Sequence, residues 1–538
     1  MPGVVVPSIR DEDIVDGLSS MDMQARLKSL RAVKNQIIGN KTKKISYLKL
    51  GAIPKVVEIL ATETSSTVLV QSAAAIGSFA SGVEEGVRAV LDNDAIPYLL
   101  KILSHQDEKV KEAGARSLKM IFNSKLAPRT HMFEESTLKV LLALLFSDNI
   151  TIAEVAASVL GRCCETKEHQ MVLTNEGIVP RLLYLINLPS PKSQEAGLDL
   201  LSALTNDNEE ISLALLEGTP PAVERVCQLS KDRHETLRLL ACSCLANVAR
   251  AHVPPSPRQQ ELAALALPVA VKLVREGEDL NEDAPRVLAR LVSGNYDLQK
   301  LACDAGAIPR LAALLKTEHS LSAKLMESTM DALAALTERW EQSRHLLVEA
   351  DVMDQMIKGL ENPSPGVRIA ACRCCLSLSR SVKNLRISLV DCNIANHLLR
   401  LLNDENPLVQ SAASAPLCNM VLDFAAVKEN ILKSGGLKQL ASMTQSASPA
   451  LRLNSIWALK NLLFAPDNEA KTAVMKALPY AHLQNLLMDP EVEVQEQALN
   501  VLRNLVHGRA EDVSAVLAYG GEDILRVLEL RFAVGLAG

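Results

Sequence analysis

A block of about 42 residues recurs along the whole chain, and that period restricts the fold more than any other feature. Each copy opens on a corner. The clearest corners are Gly51-Ala52-Ile53-Pro54, Asp94-Ala95-Ile96-Pro97, Gly177-Ile178-Val179-Pro180 and Gly306-Ala307-Ile308-Pro309. Weaker ones fall near Ser136, Gly218, Leu267-Pro268, Asp351, Asn393, Gly435-Gly436, Leu478-Pro479 and Gly520-Gly521. Steps of about 41 to 47 residues hold two or three helices. A unit that small cannot bury its own apolar face, so successive copies must stack. Stacking yields a curved rod with a groove, a shape suited to long partners rather than to chemistry.

The period is that of an armadillo or HEAT unit and predicts an all-α, right-handed superhelical solenoid of about 12 repeats. Residues 1–538 then form a single array, although a chain of this length would otherwise suggest several domains. Composition agrees: 48% of residues are hydrophobic but only 3% aromatic, with Ala and Leu dominant, a mix that suits close-packed helices better than sheets. After each corner an apolar helix is expected, such as 55–60 or 310–315. A short polar turn and a longer Ala-rich helix follow. The long helices are predicted at 70–80, 110–122, 236–249, 367–379, 409–422, 451–464 and 492–506. Gly at the corner relieves a left-handed backbone, and Pro is tolerated in the next helix's first turn. Loops are expected at Val253-Pro254-Pro255-Ser256-Pro257, at the acidic stretch 276–283 and at Leu188-Pro189-Ser190-Pro191. After Gly520-Gly521 a helix at 523–530 begins, and the chain stops on an apolar run at Gly538, so the last repeat reads as incomplete and a truncated form of a longer solenoid is expected.

A net charge of −6 gives no global pull toward nucleic acid or an acidic membrane. The N-terminus lacks a basic start followed by an apolar run, and apolar runs such as 140–146 are too short to span a bilayer, so a soluble, intracellular chain is expected. The 11 Cys are spread through predicted helices, against a disulfide framework. Cys372 and Cys375 have C-x-x-C spacing, but no second pair accompanies them, and buried reduced thiols are the better reading. The 10 His show no metal-ligand pairing. Nucleotide-binding, hydrolase and metalloprotease motifs are absent. The expectation is a non-enzyme without cofactor, metal, nucleic acid, membrane or small-molecule ligand.

Asn419, Asn461 and Asn504 fall at one place in successive long helices, 42 and 43 residues apart, and Ser377 holds that place one repeat earlier. Positions four and seven residues before share a helical face, which adds Arg373, Trp457, Asn454, Asn500 and Gln497; Arg380 extends the strip. Neighbouring helices pack about 8–10 Å apart, and an extended peptide advances about 3.3 Å per residue. An amide at each rung therefore meets a bound backbone every two or three residues, donating and accepting without reading side chains. Trp457 supplies an apolar anchor. An Asn in this place can also bond a carbonyl of the next repeat, and Trp457 can be core. Between Arg368 and Arg400 stand six basic residues against one acid, either a solvated face or a carboxylate site. From Arg26 to Lys55 stand nine Lys or Arg and no acid. Most such runs are solvated faces, and this one lacks the aromatic interleaving of a nucleic-acid platform. An acidic partner surface remains open.

Particular stretches resemble one family, the armadillo subunits of CTLH/GID E3 ubiquitin ligase complexes. They are Lys34-Asn35-Gln36-Ile37-Ile38-Gly39-Asn40, Leu50-Gly51-Ala52-Ile53-Pro54 with Glu63-Thr64-Ser65-Ser66-Thr67, and Ser377-Leu378-Ser379-Arg380-Ser381-Val382. Thr444-Gln445-Ser446, Pro449-Ala450-Leu451-Arg452-Leu453-Asn454 and Ile456-Trp457-Ala458-Leu459 continue the likeness. The resemblance implies a non-catalytic scaffold serving proteasomal degradation, whose N-terminal repeats (10–350) dock on ligase core subunits. Its C-terminal repeats (351–538) would capture the tail of a substrate-receptor subunit in a concave groove lined by the last helix of each repeat. On this chain the groove would comprise Arg373, Ser377, Arg380, Asn419, Asn454, Trp457, Asn461, Gln497, Asn500 and Asn504. The alternative is a nuclear-import cargo adaptor or a junctional or signalling scaffold. Against it, cargo adaptors repeat a Trp-Asn pair and carry acids for basic cargo, whereas Trp stands beside Asn once here and the Arg residues have the opposite sign.

Overall fold

The computed structural model describes residues 10–217, 222–252, 254–274, 282–317, 321–433, 435–464, 468–507, 511 and 513–520. Every regular element among them is helical. The chain divides into two compact units, residues 1–266 and 267–538, and both are built from armadillo repeats. The full repeat has three helices: a short one before the corner, an apolar one after it and a long one. Tyr296–Asp304, Ala307–Leu315 and Ala323–Leu336 are one such set.

The corners form for the reason their residues suggest. Gly51, Gly177, Gly306 and Gly435 have φ of 71°, 69°, 78° and 83° and sit immediately before the apolar helix. Where Gly is absent, Asp94 and Asn393 take the same left-handed place, at 49° and 55°. Asp and Asn tolerate it best among residues with a Cβ. The Pro two residues into the helix replaces an N–H that has no intrahelical partner.

The long helices stand where the Ala-rich pattern puts them: Ser66–Ala80, Glu108–Phe122, Glu235–Arg250, Pro365–Ser379, Pro407–Asp423, Pro449–Leu462 and Val492–Val506. Small residues let them approach closely. A Cβ on Gly77 would come 2.9 Å from the Cα of Ser117 on the next long helix. Within the first unit Met23–Ile37, Ser66–Ala80, Glu108–Phe122, Ile150–Cys163, Pro191–Leu204 and Glu235–Arg250 pack each on the next. Within the second, Ala284–Val292, Ala323–Leu336, Pro365–Ser379, Pro407–Asp423, Pro449–Leu462 and Val492–Val506 do the same.

Two expectations need correction. Leu267-Pro268 is no corner: it lies inside the helix Pro257–Leu273, which tolerates an internal Pro. Pro257, expected in a loop, opens that helix, and only 254–256 of that loop are seen as non-helical. The loop at 188–190 stands, with Pro191 in the first turn of the following helix. The Gly218 corner, most of the acidic loop and the segment from Gly521 onward lie outside the described residues.

Candidate protein-binding face

In the second unit the last four long helices each leave one row of side chains exposed or half-buried. On Pro365–Ser379 the row holds Ile369, Arg373 and Leu376 and continues to Arg380. On Pro407–Asp423 it holds Ser411, Ala415 and Leu422; on Pro449–Leu462, Leu453, Trp457 and Lys460, continuing to Phe464; on Val492–Val506, Glu496, Asn500 and Arg503. The spacing of four then three residues keeps each row on one side of its helix. The period of 42 or 43 residues aligns rows between helices, so Arg373, Ala415, Trp457 and Asn500 occupy equivalent places.

Of the ten residues expected to line a groove, Arg373, Arg380 and Trp457 are exposed, and Asn419, Asn454 and Asn500 are half-buried. Ser377, Asn461, Gln497 and Asn504 are buried. The buried set serves the stack. Asn461 is 3% exposed, and its Nδ2 donates to the Cys418 carbonyl at 2.6 Å. Asn504 is 8% exposed and donates to the Lys460 carbonyl at 3.0 Å. Ser377 Oγ donates to the Thr337 carbonyl at 2.6 Å. Asn454 Nδ2 donates to Ser414 Oγ at 2.9 Å and Asn419 Nδ2 to Ser379 Oγ at 3.0 Å. Each bond reaches back to the preceding long helix. The Lys460 and Thr337 carbonyls stand at helix C-termini, where the backbone has no further N–H to offer. The amide nitrogens are thus committed within the protein, and the more exposed places lie four residues before the Asn column, at Ala415, Trp457 and Asn500. Asn461→Ala is accordingly expected to cost about 1–2 kcal/mol of stability. Measured by urea denaturation of the full chain, a loss in that range with partner affinity unchanged supports the stacking role; lost affinity with stability unchanged overturns it.

Sequence reasoning missed Asn247, which has the same role in the first unit. Buried, it donates to the Ser202 carbonyl at 2.9 Å. The run Leu245-Ala246-Asn247-Val248 matches Leu459-Lys460-Asn461-Leu462 and was the available signal. Phe464, Lys460 and Arg503 were also missed as members of the open rows.

Trp457 is 38% exposed and Phe464 56%, two large apolar side chains seven residues apart. The Lys460 Nζ lies 5.1 Å from the Trp457 ring centroid, a cation–π distance. Burial holds the Lys460 ammonium below the ordinary lysine value, and the like charge of Arg503 adds to that effect. Arg373 lies 2.8 Å from Asp331 of the preceding long helix, while Arg380 meets no acid among the described residues. An apolar anchor flanked by cations suits a polypeptide that brings an apolar side chain and a carboxylate.

Cys372 and Cys375 are buried free thiols, and burial pushes Cys372 up to about 12. Among the described residues no group of three or more His, Cys, Asp or Glu is placed to hold a metal ion, and no helix is long and apolar enough to cross a membrane.

Comparison with known proteins adds four likenesses. A family model described as the VID28/GID5 C-terminal domain matches residues 436–509, the stretch that carries Trp457, Phe464 and Arg503. Armadillo repeat-containing protein 8 of Mus musculus is 31% identical over 540 residues, covering 96% of this chain and 80% of its own length. GID complex subunit 5 of Schizosaccharomyces pombe is 30% identical over 308 residues, 52% of this chain and 39% of that one. Importin subunit alpha-8 of Arabidopsis thaliana is more distant, at 21% over 279 residues, 44% of this chain and 61% of that one.

Proposed function

Because the chain belongs to the armadillo repeat-containing protein 8 family, we propose that it is a non-catalytic scaffold subunit of a GID-type E3 ubiquitin ligase complex, present in cytoplasm and nucleus. Residues 10–350 engage the ligase core, and the open rows of the second unit hold the tail of a substrate receptor. The observation that carries this reading is the exposed pair Trp457 and Phe464 beside Lys460, on a helix within the matched GID5 domain. A solenoid offers binding surface in proportion to its length, which agrees with a scaffold. The cations on the open rows, Arg373, Arg380, Lys460 and Arg503, oppose the basic cargo of an import adaptor.

The test is reconstitution. The full chain is mixed with purified ligase core subunits and receptor of the same source, and the complex is followed by size-exclusion chromatography. Co-elution with both is expected. Elution of the chain apart from core and receptor alike overturns the proposal.

A further inference from the structure

Between Met23 and Val57 the sequence holds nine Lys or Arg and no acid. The structure sorts the nine into two groups. Five are used within the first unit. Arg26 lies 3.0 Å from Glu63, Lys43 2.8 Å from Asp11 and Lys55 3.3 Å from Asp16. Lys34 donates to Gln71 Oε1 at 2.8 Å, and the buried Lys44 donates to the Ser81 carbonyl. The other four, Lys28, Arg31, Lys41 and Lys49, are exposed and meet no acid among the described residues.

The four are not scattered. Lys28, Arg31 and Ile38 share a stripe at the spacing of helix Met23–Ile37, and Ile38 is exposed. Lys41, Ile45 and Lys49 share a stripe of helix Lys41–Lys49, and Ile45 is exposed too. A face that serves only solubility mixes signs and hides its isoleucines. This one has a single sign with an exposed isoleucine in each stripe. The aromatic of the stretch, Tyr47, is buried with its hydroxyl bonded to Gln36 and Asp11, so it offers no stacking platform for bases. A long polyanion or a bilayer also feels the net charge of −6, whereas a short acidic helix is screened from distant acids within about 8 Å.

We propose that this face of the first repeat docks an acidic amphipathic helix of a partner protein. Its carboxylates meet Lys28, Arg31, Lys41 and Lys49, and its apolar stripe covers Ile38 and Ile45. The inference rests on the reading of the chain as a subunit of a protein complex, but it uses a surface in the other unit from Trp457.

The probe is a labelled helical peptide of about 20 residues with Glu and Leu on adjacent stripes, titrated by fluorescence anisotropy into the full chain at low and at raised salt. Its Glu→Lys counterpart, phosphatidylserine vesicles and poly(U) are run in parallel. Micromolar binding of the acidic peptide, weakened by salt, is expected. Combined Lys28→Glu, Arg31→Glu, Lys41→Glu and Lys49→Glu should weaken it at least about tenfold. Ile38→Ser with Ile45→Ser should weaken it about threefold, and Trp457→Ala should leave it unchanged. Thermal melts of each variant verify folding. Binding that survives the charge reversal, or that Trp457→Ala abolishes, overturns the proposal. So does tighter, reversal-sensitive binding of vesicles or poly(U), which would assign the face to another class of partner.

Discussion

Replacing Asp489 by alanine is expected to destabilise the second unit by about 3–5 kcal/mol, the cost of leaving a buried cation without its partner. Arg452, near the start of helix Pro449–Leu462, donates from Nε to Asp489 Oδ2 at 2.7 Å and from Nη2 to Oδ1 at 2.9 Å. Its Nη1 donates to the Ser446 and Ala447 carbonyls at 3.1 and 3.2 Å. Four of the five guanidinium N–H groups are bonded, both side chains are largely buried, and the pair joins one repeat to the next. The stability of a repeat array is a sum of repeat and interface terms, so this loss should uncouple the last repeats rather than unfold everything at once. Urea denaturation should show a separate early transition, and hydrogen exchange should rise first in Val492–Val506. Replacing Arg452 and Asp489 together by leucine should recover most of the loss, because no buried charge is then left alone. A single unchanged transition for Asp489→Ala would sink the argument. The pH dependence has a definite sign. Hydrogen bonds from Arg452, against the opposing effect of burial, hold the Asp489 carboxyl below its ordinary value. Its stabilisation is therefore present above the unfolded pKa of about 3.9 and is lost as pH falls through the lowered folded value. The difference between wild type and Asp489→Asn should shrink as pH drops below about 4.

A second fork two repeats earlier shows why such pairs escape a reading of sequence. Arg368 Nη2 donates to Asp404 Oδ1 at 2.9 Å, and its Nε lies 2.8 Å from Oδ2 as an ion-pair contact without a hydrogen bond. The partners stand 36 or 37 residues apart, so no local pattern links them. The only trace is in the repeat between them: Gln410 stands where Arg would be, and Ser446 where Asp would be. The corners were legible because a left-handed backbone restricts residue choice at one position, and the long helices because alanine-rich spacing is local. The short helix before each corner was not legible, since sequences such as Lys167–Asn175 or Glu341–Glu349 are too polar to show an apolar stripe. Spacing alone did not separate the exposed side chains of each long helix from the covered ones. Spacing identifies a stripe about a third of the helix surface wide, and the neighbouring repeat decides which edge of it is covered. The nitrogens of Asn461 and Asn504 fell on the covered edge, and Trp457 on the open one.

That division sets the second large effect. Trp457→Ala is expected to weaken binding of the receptor tail by about 30-fold or more, the 2 kcal/mol or above typical of a central aromatic anchor. The indole is held by the solenoid yet open to solvent, and it lies in the middle of its row between Leu453 and Lys460. A guest side chain packed against it gains apolar burial without ordering a flexible group, since the tryptophan is already placed. Truncation removes that surface and the cation–π partner of Lys460 together. The helix itself loses little, because Leu451, Ile456, Ala458 and Leu459 supply its core contacts. The melting temperature should therefore stay nearly constant while affinity falls, the opposite of the signature predicted for Asn461→Ala. Lys460→Glu should also weaken a tail that bears a carboxylate, and more so at low salt, because the charge it reverses is partly screened in concentrated buffer. Isothermal titration of the full chain with the receptor tail decides the matter. Equal affinity for wild type and Trp457→Ala would remove the indole as the anchor of the receptor site.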